Sequence, residues 1–182
     1  VPVLIDPKGC DWTKYRGAYG ITPNIKELSD VAGFVINNND SDIERIGRKV
    51  RETFQIENIF VTRSEKGITC INKNGSVHCA SVAQDVFDVS GAGDTVMAIL
   101  AAATAVNLDM ITALELANTA AGIAVSRVGT YPVGHTEMID AWCGSDMMRT
   151  AYIPISWEEA KNKVNTWKSQ GETVVFTNGC FD

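Results

Sequence analysis

The amino-acid sequence predicts an α/β protein, a parallel or mixed sheet covered by helices. Three observations lead there. Short apolar runs rich in β-branched residues alternate with segments of helical periodicity through the first 130 residues. Glycine or proline punctuates the joins between them. The chain of 182 residues, 45% hydrophobic and 21% charged, can furnish one sizeable core, or one domain and part of another.

The elements follow in order. Val3-Leu4-Ile5 is a short strand ended by Asp6-Pro7. Asn24 to Ala32 reads as a helix that starts after Thr22-Pro23 and stops at Gly33. Phe34-Val35-Ile36 reads as another strand. Asp40 or Ser41 caps a helix on which Ile43, Ile46, Val50 and Phe54 recur at helical spacing. Ile59-Phe60-Val61 is a strand, and Asn74-Gly75 marks the turn of a hairpin over 68–79. If the turn is centred on that pair, Cys70 lies opposite Cys79 at a non-hydrogen-bonded position, where side chains sit close. Two reduced thiols are favoured over a disulfide there, because no secretion signal is expected. Val86 to Val89 forms a further strand, a glycine turn follows, and a helix runs from Asp94 to about Val106. The next helix runs from an Asp109 cap to about Arg127, with Gly129 as its stop.

From Pro132 to Pro154 the periodicity fails, which reads as the last segment of a domain and a linker. Ser156 opens a capping box with Glu159, ahead of a helix carrying Trp157, Ala160, Val164 and Trp167 on one stripe and ended by Gly171. Thr173 to Phe176 reads as the first strand of a second domain. The expected division is 1–140, the C-terminal part of one domain; 141–155, a linker; and 156–182, the truncated start of the next. Both ends look cut through folded structure, so a piece of a longer protein is expected.

Several functions are excluded by composition. A formal net charge of −6 argues against a broad basic face for nucleic acid, whereas a small phosphorylated substrate needs only a local cluster of donors. No run approaches the length of apolar residues that spans a bilayer, so no membrane role is expected. Five cysteines, at 10, 70, 79, 143 and 180, form no C-x-x-C pair and leave one over, a poor pattern for a zinc ribbon or a disulfide scaffold. There is no G-x-x-x-x-G-K-[ST], G-x-G-x-x-G or H-E-x-x-H motif. The two histidines, His78 in the hairpin and His135 in the linker, read as structural or solvated.

The informative segment is Asp88-Val89-Ser90-Gly91-Ala92-Gly93-Asp94-Thr95. Two glycines flanking an alanine let the backbone turn tightly with its N–H groups outward, and a helix begins at once. The helix N-terminus adds unsatisfied donors and a partial positive charge, which together make an anion site. A carboxylate at Asp94 could there orient and deprotonate a hydroxyl, the combination phosphoryl transfer needs. On the residues alone a second reading stands beside it: Asp94 serves only as the cap of a helix after a tight turn.

This segment closely resembles the C-terminal signature of the ribokinase-like carbohydrate kinases. Thr22-Pro23-Asn24-Ile25-Lys26-Glu27 is similar to that family's Asn-x-x-Glu motif, and Val61-Thr62-Arg63-Ser64-Glu65-Lys66-Gly67 to its nucleotide-contacting strand end. Asn118, within Ala117-Asn118-Thr119-Ala120-Ala121, matches the helix beside the adenine. Further on, Gly171-Glu172-Thr173-Val174-Val175-Phe176-Thr177-Asn178-Gly179-Cys180-Phe181-Asp182 looks like the first strand of a cytidylyltransferase-type nucleotidyltransferase, a Rossmann-like domain. A ribokinase-like mixed sheet joined through a linker to that strand resembles the bifunctional heptose enzymes. In that family the kinase phosphorylates D-glycero-β-D-manno-heptose 7-phosphate at the anomeric hydroxyl, and the second domain adenylylates the 1-phosphate to ADP-heptose for the lipopolysaccharide core. Asp6-Pro7-Lys8-Gly9 and Tyr15-Arg16-Gly17 resemble the heptose kinase rather than a generic sugar kinase.

The resemblance implies roles residue by residue. Asp94 would be the catalytic base, and Gly91, Ala92 and Gly93 the anion hole for the transferring phosphoryl group. Asn24, Ile25, Lys26, Glu27, Ser64, Glu65, Gly67 and Asn118 would line the ATP site. Asn24 and Glu27 would hold Mg²⁺ largely through water, as suits a hard-oxygen pair, and Asp88 and Ser90 would bind K⁺. Lys8 either faces a substrate phosphate or is a surface lysine after a turn. The expected cofactors are ATP and Mg²⁺, with K⁺ as an addition. The expected partners are heptose phosphate and ATP, with no nucleic acid and no membrane, and the full-length protein is expected to be a cytoplasmic homodimer. Two departures stand out: Val89 replaces the family's usual threonine, and the transferase's His-x-Gly-His motif is absent from the sequence. Alternatives are another ribokinase-like sugar or nucleoside kinase, or an inactive interaction piece.

Overall fold

The computed structural model describes residues 1–82, 86–142, 156–169, 171 and 173–175. They fall in two units, Val1–Trp142 and Cys143–Asp182. The first unit is built on a five-stranded sheet in the order β1 (Leu4–Ile5), β2 (Gly20–Ile21), β3 (Asn58–Thr62), β4 (Ile68–Asn72) and β5 (Gly75–Cys79). β1, β2 and β3 run parallel, with Leu4 opposite Gly20 and Gly20 opposite Asn58. β4 and β5 are antiparallel, so the sheet is mixed, as the alternation of elements leads one to expect.

Successive side chains of a strand point to opposite faces, and each face here has its own core. On one, Ile21, Ile59, Val61 and Ile71 pack with Leu28 of α1 (Ile25–Ala32) and with Ile43, Ile46 and Val50 of α2 (Asp40–Phe54); Trp12 is fully buried among them. On the other, Phe60, Ile68 and Cys70 meet Val96, Leu100 and Ala103 of α3 (Ala92–Ala105) and Leu114 and Ala117 of α4 (Met110–Val125). Each fully buried aliphatic or aromatic side chain contributes about 1.5–3 kcal/mol of transfer free energy. Burial in the second core pushes the Cys70 thiol up to about 12.

The helix ends follow from local chemistry. Asn24 caps α1 and Gly33, with φ +80°, closes it. Asp109 caps α4 by accepting the Thr112 N–H at 3.0 Å. α2 is capped by Asn39, one residue before the expected Asp40 or Ser41, because Asn39 Oδ1 is the atom that takes the Asp42 N–H, at 2.9 Å. α3 starts at Ala92 rather than Asp94, the glycine turn itself supplying the cap.

Four expectations are corrected. Phe34-Val35-Ile36 is not a strand: the Ile36 N–H donates to Ser29 Oγ at 3.1 Å instead of to a ladder, and the segment simply joins α1 to α2. Val86 to Val89 is not a strand either, since the Phe87 and Asp88 N–H groups both turn to the Val125 carbonyl at the end of α4. The hairpin turns one residue earlier than its Asn-Gly pair predicts, with Asn72 opposite Gly75, so Cys70 faces Val77 and Cys79 faces Ile68; neither is in a disulfide. Within the stretch read as aperiodic, residues 135–142 are helical (α5).

In the second unit, α6 (Trp157–Ser169) begins directly after Ser156, and Gly171, with φ +82°, donates to the Lys168 carbonyl at 3.1 Å beyond its end. Residues 173–175 are not in a strand, and Phe176 lies outside the described residues, as does most of the 141–155 segment read as a linker.

Candidate active site

In open α/β sheets, ligands gather at the carboxyl ends of parallel strands. Three loops leave that end here: Asp6 to Lys8 after β1, Thr22 to Glu27 after β2, and Arg63 to Gly67 after β3. The second is stitched to the end of β3 by an isolated parallel bridge between Asn24 and Thr62, and the Thr62 N–H donates to the Pro23 carbonyl at 2.9 Å.

The Asn24–Glu27 pair forms a reciprocal helix cap. Asn24 Oδ1 accepts the Glu27 N–H at 2.8 Å, and Glu27 Oε2 accepts the Asn24 N–H at 2.9 Å. Two of the donors orphaned at the start of α1 are thereby satisfied. Lys8 Nζ lies 3.1 Å from Glu27 Oε1 and 2.8 Å from Asp6 Oδ2. Hydrogen bonds to Asp6 first and Glu27 second hold the lysine well above its ordinary pKa. Its ammonium therefore rests between two carboxylates, although it remains exposed to solvent. The two carboxylates around this ammonium, and the Asn24 amide oxygen paired with Glu27, are hard-oxygen donors of the kind Mg²⁺ takes. Among the described residues no three His, Cys, Asp or Glu side chains converge as a ligand set, so a divalent ion here would be held through water and through the phosphates it carries. Of the other residues in this motif, Ile25 packs into the first core and Lys26 is exposed.

After β3 the chain makes a tight turn. The Arg63 N–H donates to the Gly67 carbonyl at 2.8 Å, and the Gly67 N–H to the Ser64 carbonyl at 3.0 Å. Ser64 takes the left-handed conformation, φ +53°, and both Ser64 and Glu65 are exposed. Gly67 is buried at φ +84°, and a Cβ there would stand 2.2 Å from the Cys79 carbonyl oxygen and 2.6 Å from the Ser81 nitrogen. Its position is thus dictated by the backbone of the hairpin's far end. Asn118 converges on the same segment: buried in α4, it donates to the Ala80 carbonyl and lies 3.7 Å from Cys79 Sγ. Gly67 and Asn118 hold the chain as it leaves β5.

The 88–95 segment sits at the start of α3. Gly91, with φ +80° and ψ −1°, is the N-cap residue and offers no side chain for capping. Thr95 donates to the Gly91 carbonyl from both its N–H, at 3.0 Å, and its hydroxyl, at 2.9 Å. The Ala92 N–H reaches the Val89 carbonyl at 3.3 Å, while the N–H groups of Gly93 and Asp94 have no acceptor among the described residues. Asp94 is the third residue of the helix and exposed, and its carboxylate caps nothing. A free carboxylate thus stands beside two free N–H donors at the positive end of a 14-residue helix dipole. Asp88 has a different task. Its Oδ1 accepts the Ser90 N–H at 2.9 Å and its Oδ2 the Gly129 N–H at 3.0 Å, tying the turn to the loop after α4. These bonds, that of Ser90 foremost, hold its carboxyl below the usual range.

α3 packs against β1, whose carboxyl end carries Asp6 and Lys8. A shallow cavity of about 510 Å³, lined by Gly17, Ala18, Arg51 and Glu57 among others, opens instead at the amino ends of β2 and β3, away from all of these groups. The sequence reading passed over Arg63, which is fully buried and gathers a network of side chains. A charged residue directly after a strand reads as solvated loop, and no spacing rule distinguishes the exception.

The sequence pattern of the pfkB family carbohydrate kinases matches residues 1–136. The chain belongs to this family. It is 43% identical over its whole length to the protein described as bifunctional protein HldE of Methylobacillus flagellatus, and 43% identical to the one of the same description from Photobacterium profundum. The chain spans 37% of the length of each of these curated relatives. Among solved structures, Thermotoga maritima ribokinase superposes with a TM-score of 0.69 at 24% identity, covering 78% of this chain and 49% of that one. Arabidopsis thaliana ribokinase, complexed with ribose and ATP, gives 0.70 at 22% identity over 78% of this chain and 47% of that one. Escherichia coli phosphofructokinase-2, in complex with potassium, gives 0.71 at 15% identity over 79% and 47%. These superpositions show a ribokinase-like fold.

Proposed function

We propose that the polypeptide carrying this chain transfers the γ-phosphoryl group of ATP to the anomeric hydroxyl of D-glycero-β-D-manno-heptose 7-phosphate, and that a second activity of the same polypeptide adenylylates heptose 1-phosphate. The observation that carries the kinase reading is the start of α3, where the uncapped Asp94 carboxylate adjoins the unpartnered Gly93 and Asp94 N–H groups. The sugar is supported by the likeness to the HldE proteins over the whole chain, together with the Asp6 to Gly9 and Tyr15 to Gly17 segments.

In this reading Asp94 accepts the proton of the sugar hydroxyl as its oxygen bonds to the γ-phosphorus and the bridging bond to ADP breaks. The unpartnered N–H groups of Gly93 and Asp94 meet the charge on the transferring oxygens, donors placed in advance where charge develops. Glu27 and Asn24 would hold Mg²⁺ through water, and the ion would neutralise phosphate charge. Ser64 and Glu65 would border the nucleotide, with Asn118 and Gly67 shaping its floor from behind. Lys8, already engaged by two carboxylates, would balance the acidic groups of the metal site rather than receive a substrate phosphate. K⁺ at Asp88 and Ser90 would share the Asp88 carboxylate with the two N–H groups that it already accepts. The same reading places the enzyme in the cytoplasm as a homodimer; no helix among the described residues is long and apolar enough to cross a membrane.

The test is Asp94→Asn in the whole polypeptide, assayed with MgATP against sugars with and without a 7-phosphate. A loss of about a hundredfold or more in turnover, at unchanged melting temperature, is expected. Near-normal turnover would remove Asp94 from the chemistry, and turnover only on sugars lacking the 7-phosphate would overturn the heptose assignment.

A further inference from the structure

Arg63 leaves β3 and folds back into the protein, its side chain 0% exposed. A guanidinium taken out of water needs partners for its donors. Nε donates to Asn38 Oδ1 at 2.8 Å; Nη1 donates to Asp40 Oδ1 at 2.7 Å and to Thr69 Oγ1 at 2.9 Å, with His78 Nδ1 3.4 Å away. Asn38 reciprocates by donating from Nδ2 to the Arg63 carbonyl at 3.2 Å, and Lys66 Nζ donates to the Asn38 carbonyl. Thr69 Oγ1 and His78 Nδ1 are 3.0 Å apart. One side chain thus ties together the loop before α2, the turn after β3 and both strands of the hairpin.

The arrangement is costly. Nη2 is buried with no partner among the described residues, and the single carboxylate that balances the charge, Asp40, is 80% exposed. The net stability such a buried charge supplies is small, because its desolvation offsets much of its pairing. What the guanidinium adds is order in the segment it anchors. That segment is the turn in which Ser64, a residue with a Cβ, is held at φ +53° and left exposed at the carboxyl end of β3.

We propose that Arg63 is a positioning residue for the nucleotide: through Asn38, Asp40, Thr69 and His78 it holds the 63–67 turn in the left-handed shape that presents Ser64 and Glu65 to ATP. The inference rests on the kinase reading above and adds to it a residue that never touches substrate. The turn is clamped from the 38–40 loop on one side and from the hairpin on the other, so loosening Arg63 frees the turn while the sheet and Asp94 stay in place.

The experiment compares wild type, Arg63→Lys and Asn38→Ala in the whole polypeptide. Lysine keeps the charge and loses the fork; alanine at the half-buried Asn38 cuts the outer tie without hollowing the core. The KM for ATP is expected to rise about tenfold or more in Arg63→Lys and about threefold in Asn38→Ala, with the KM for the sugar and kcat each within about threefold of wild type. Amide hydrogens of residues 64–67 are expected to exchange about tenfold faster in both variants, with exchange in β3 unchanged. An ATP KM that stays at the wild-type value in a folded variant, or one that rises in step with the sugar KM, overturns the proposal. If Arg63→Lys does not fold, Asn38→Ala decides by the same two readouts. A wild-type polypeptide with no ATP-dependent turnover would overturn the kinase reading instead, and the exchange comparison would then decide by itself whether Arg63 holds the turn.

Discussion

At the scale of single residues, one amino acid carries several jobs or is allowed only one. Glu27 completes the cap of α1 with one carboxylate oxygen and holds Lys8 with the other. Gly67 has no latitude, since a Cβ would collide with the Cys79 carbonyl oxygen and the backbone conformation itself disfavours any other residue. Gly67→Ala is therefore expected to cost about 3 kcal/mol, read as a fall of roughly 6–12 °C in melting temperature. A variant that melts with the wild type would show that the hairpin end yields, and would refute the close approach as a constraint. How much of this scale was legible in sequence depends on the residue. The Gly91-Ala92-Gly93-Asp94 run announces a turn into a helix with a carboxylate at its start, and the structure has that arrangement, with Gly91 rather than Asp94 at the cap. The burial of Arg63 and the partner of Asn118 were opaque for opposite reasons. Arg63 carries a charge yet lies inside, while Asn118 sits in an apolar helix and spends its amide on the Ala80 carbonyl 38 residues away. Long-range hydrogen bonds leave no periodic trace.

At the scale of elements, helices were readable, and strands only where a partner strand exists, as at Leu4–Ile5, Asn58–Thr62 and the hairpin. The Asn24–Gly33 and Asp109–Val125 limits follow from capping chemistry that acts within four residues. A strand exists only through its neighbour, and neither Phe34-Val35-Ile36 nor Val86 to Val89 has one: their N–H groups go to Ser29 Oγ and to the end of α4. The first turn of α2 supplies a pH prediction. Arg45 first, then Asn39 and Asn37, hydrogen-bond the Asp42 carboxylate and hold it down at about 2. A carboxylate bound more tightly in the folded state stabilises the fold fully above its unfolded pKa of about 3.9, and that contribution fades as pH falls toward 2. Denaturation midpoints measured between those limits should fall less steeply in Asp42→Asn than in wild type. Equal slopes would mean the bonds do not survive in solution.

At the scale of the whole molecule, the proposed nucleotide site draws on loops far apart in sequence at one end of one sheet, so its occupancy should be felt by the entire first unit. Ligand bound to the folded state alone stabilises by mass action, about 2.7 kcal/mol at a hundred times Kd, which is roughly 5–10 °C in melting temperature. MgATP should raise the melting point of the whole polypeptide by that amount, and no shift at saturating concentration would argue against a nucleotide site at these loops. The order in which the two cores are supplied has a further result during synthesis. The face bearing Ile21, Ile59 and Ile71 finds α1 and α2 already made, whereas the face bearing Phe60, Ile68 and Cys70 waits for α3 and α4. At about 5–20 residues per second, the ribosome leaves that second face uncovered for roughly 2–9 seconds between the end of the hairpin and the end of α4. The nascent chain thus displays a greasy sheet surface long enough for a chaperone to find it, and a slow codon placed in α3 or α4 would prolong that display.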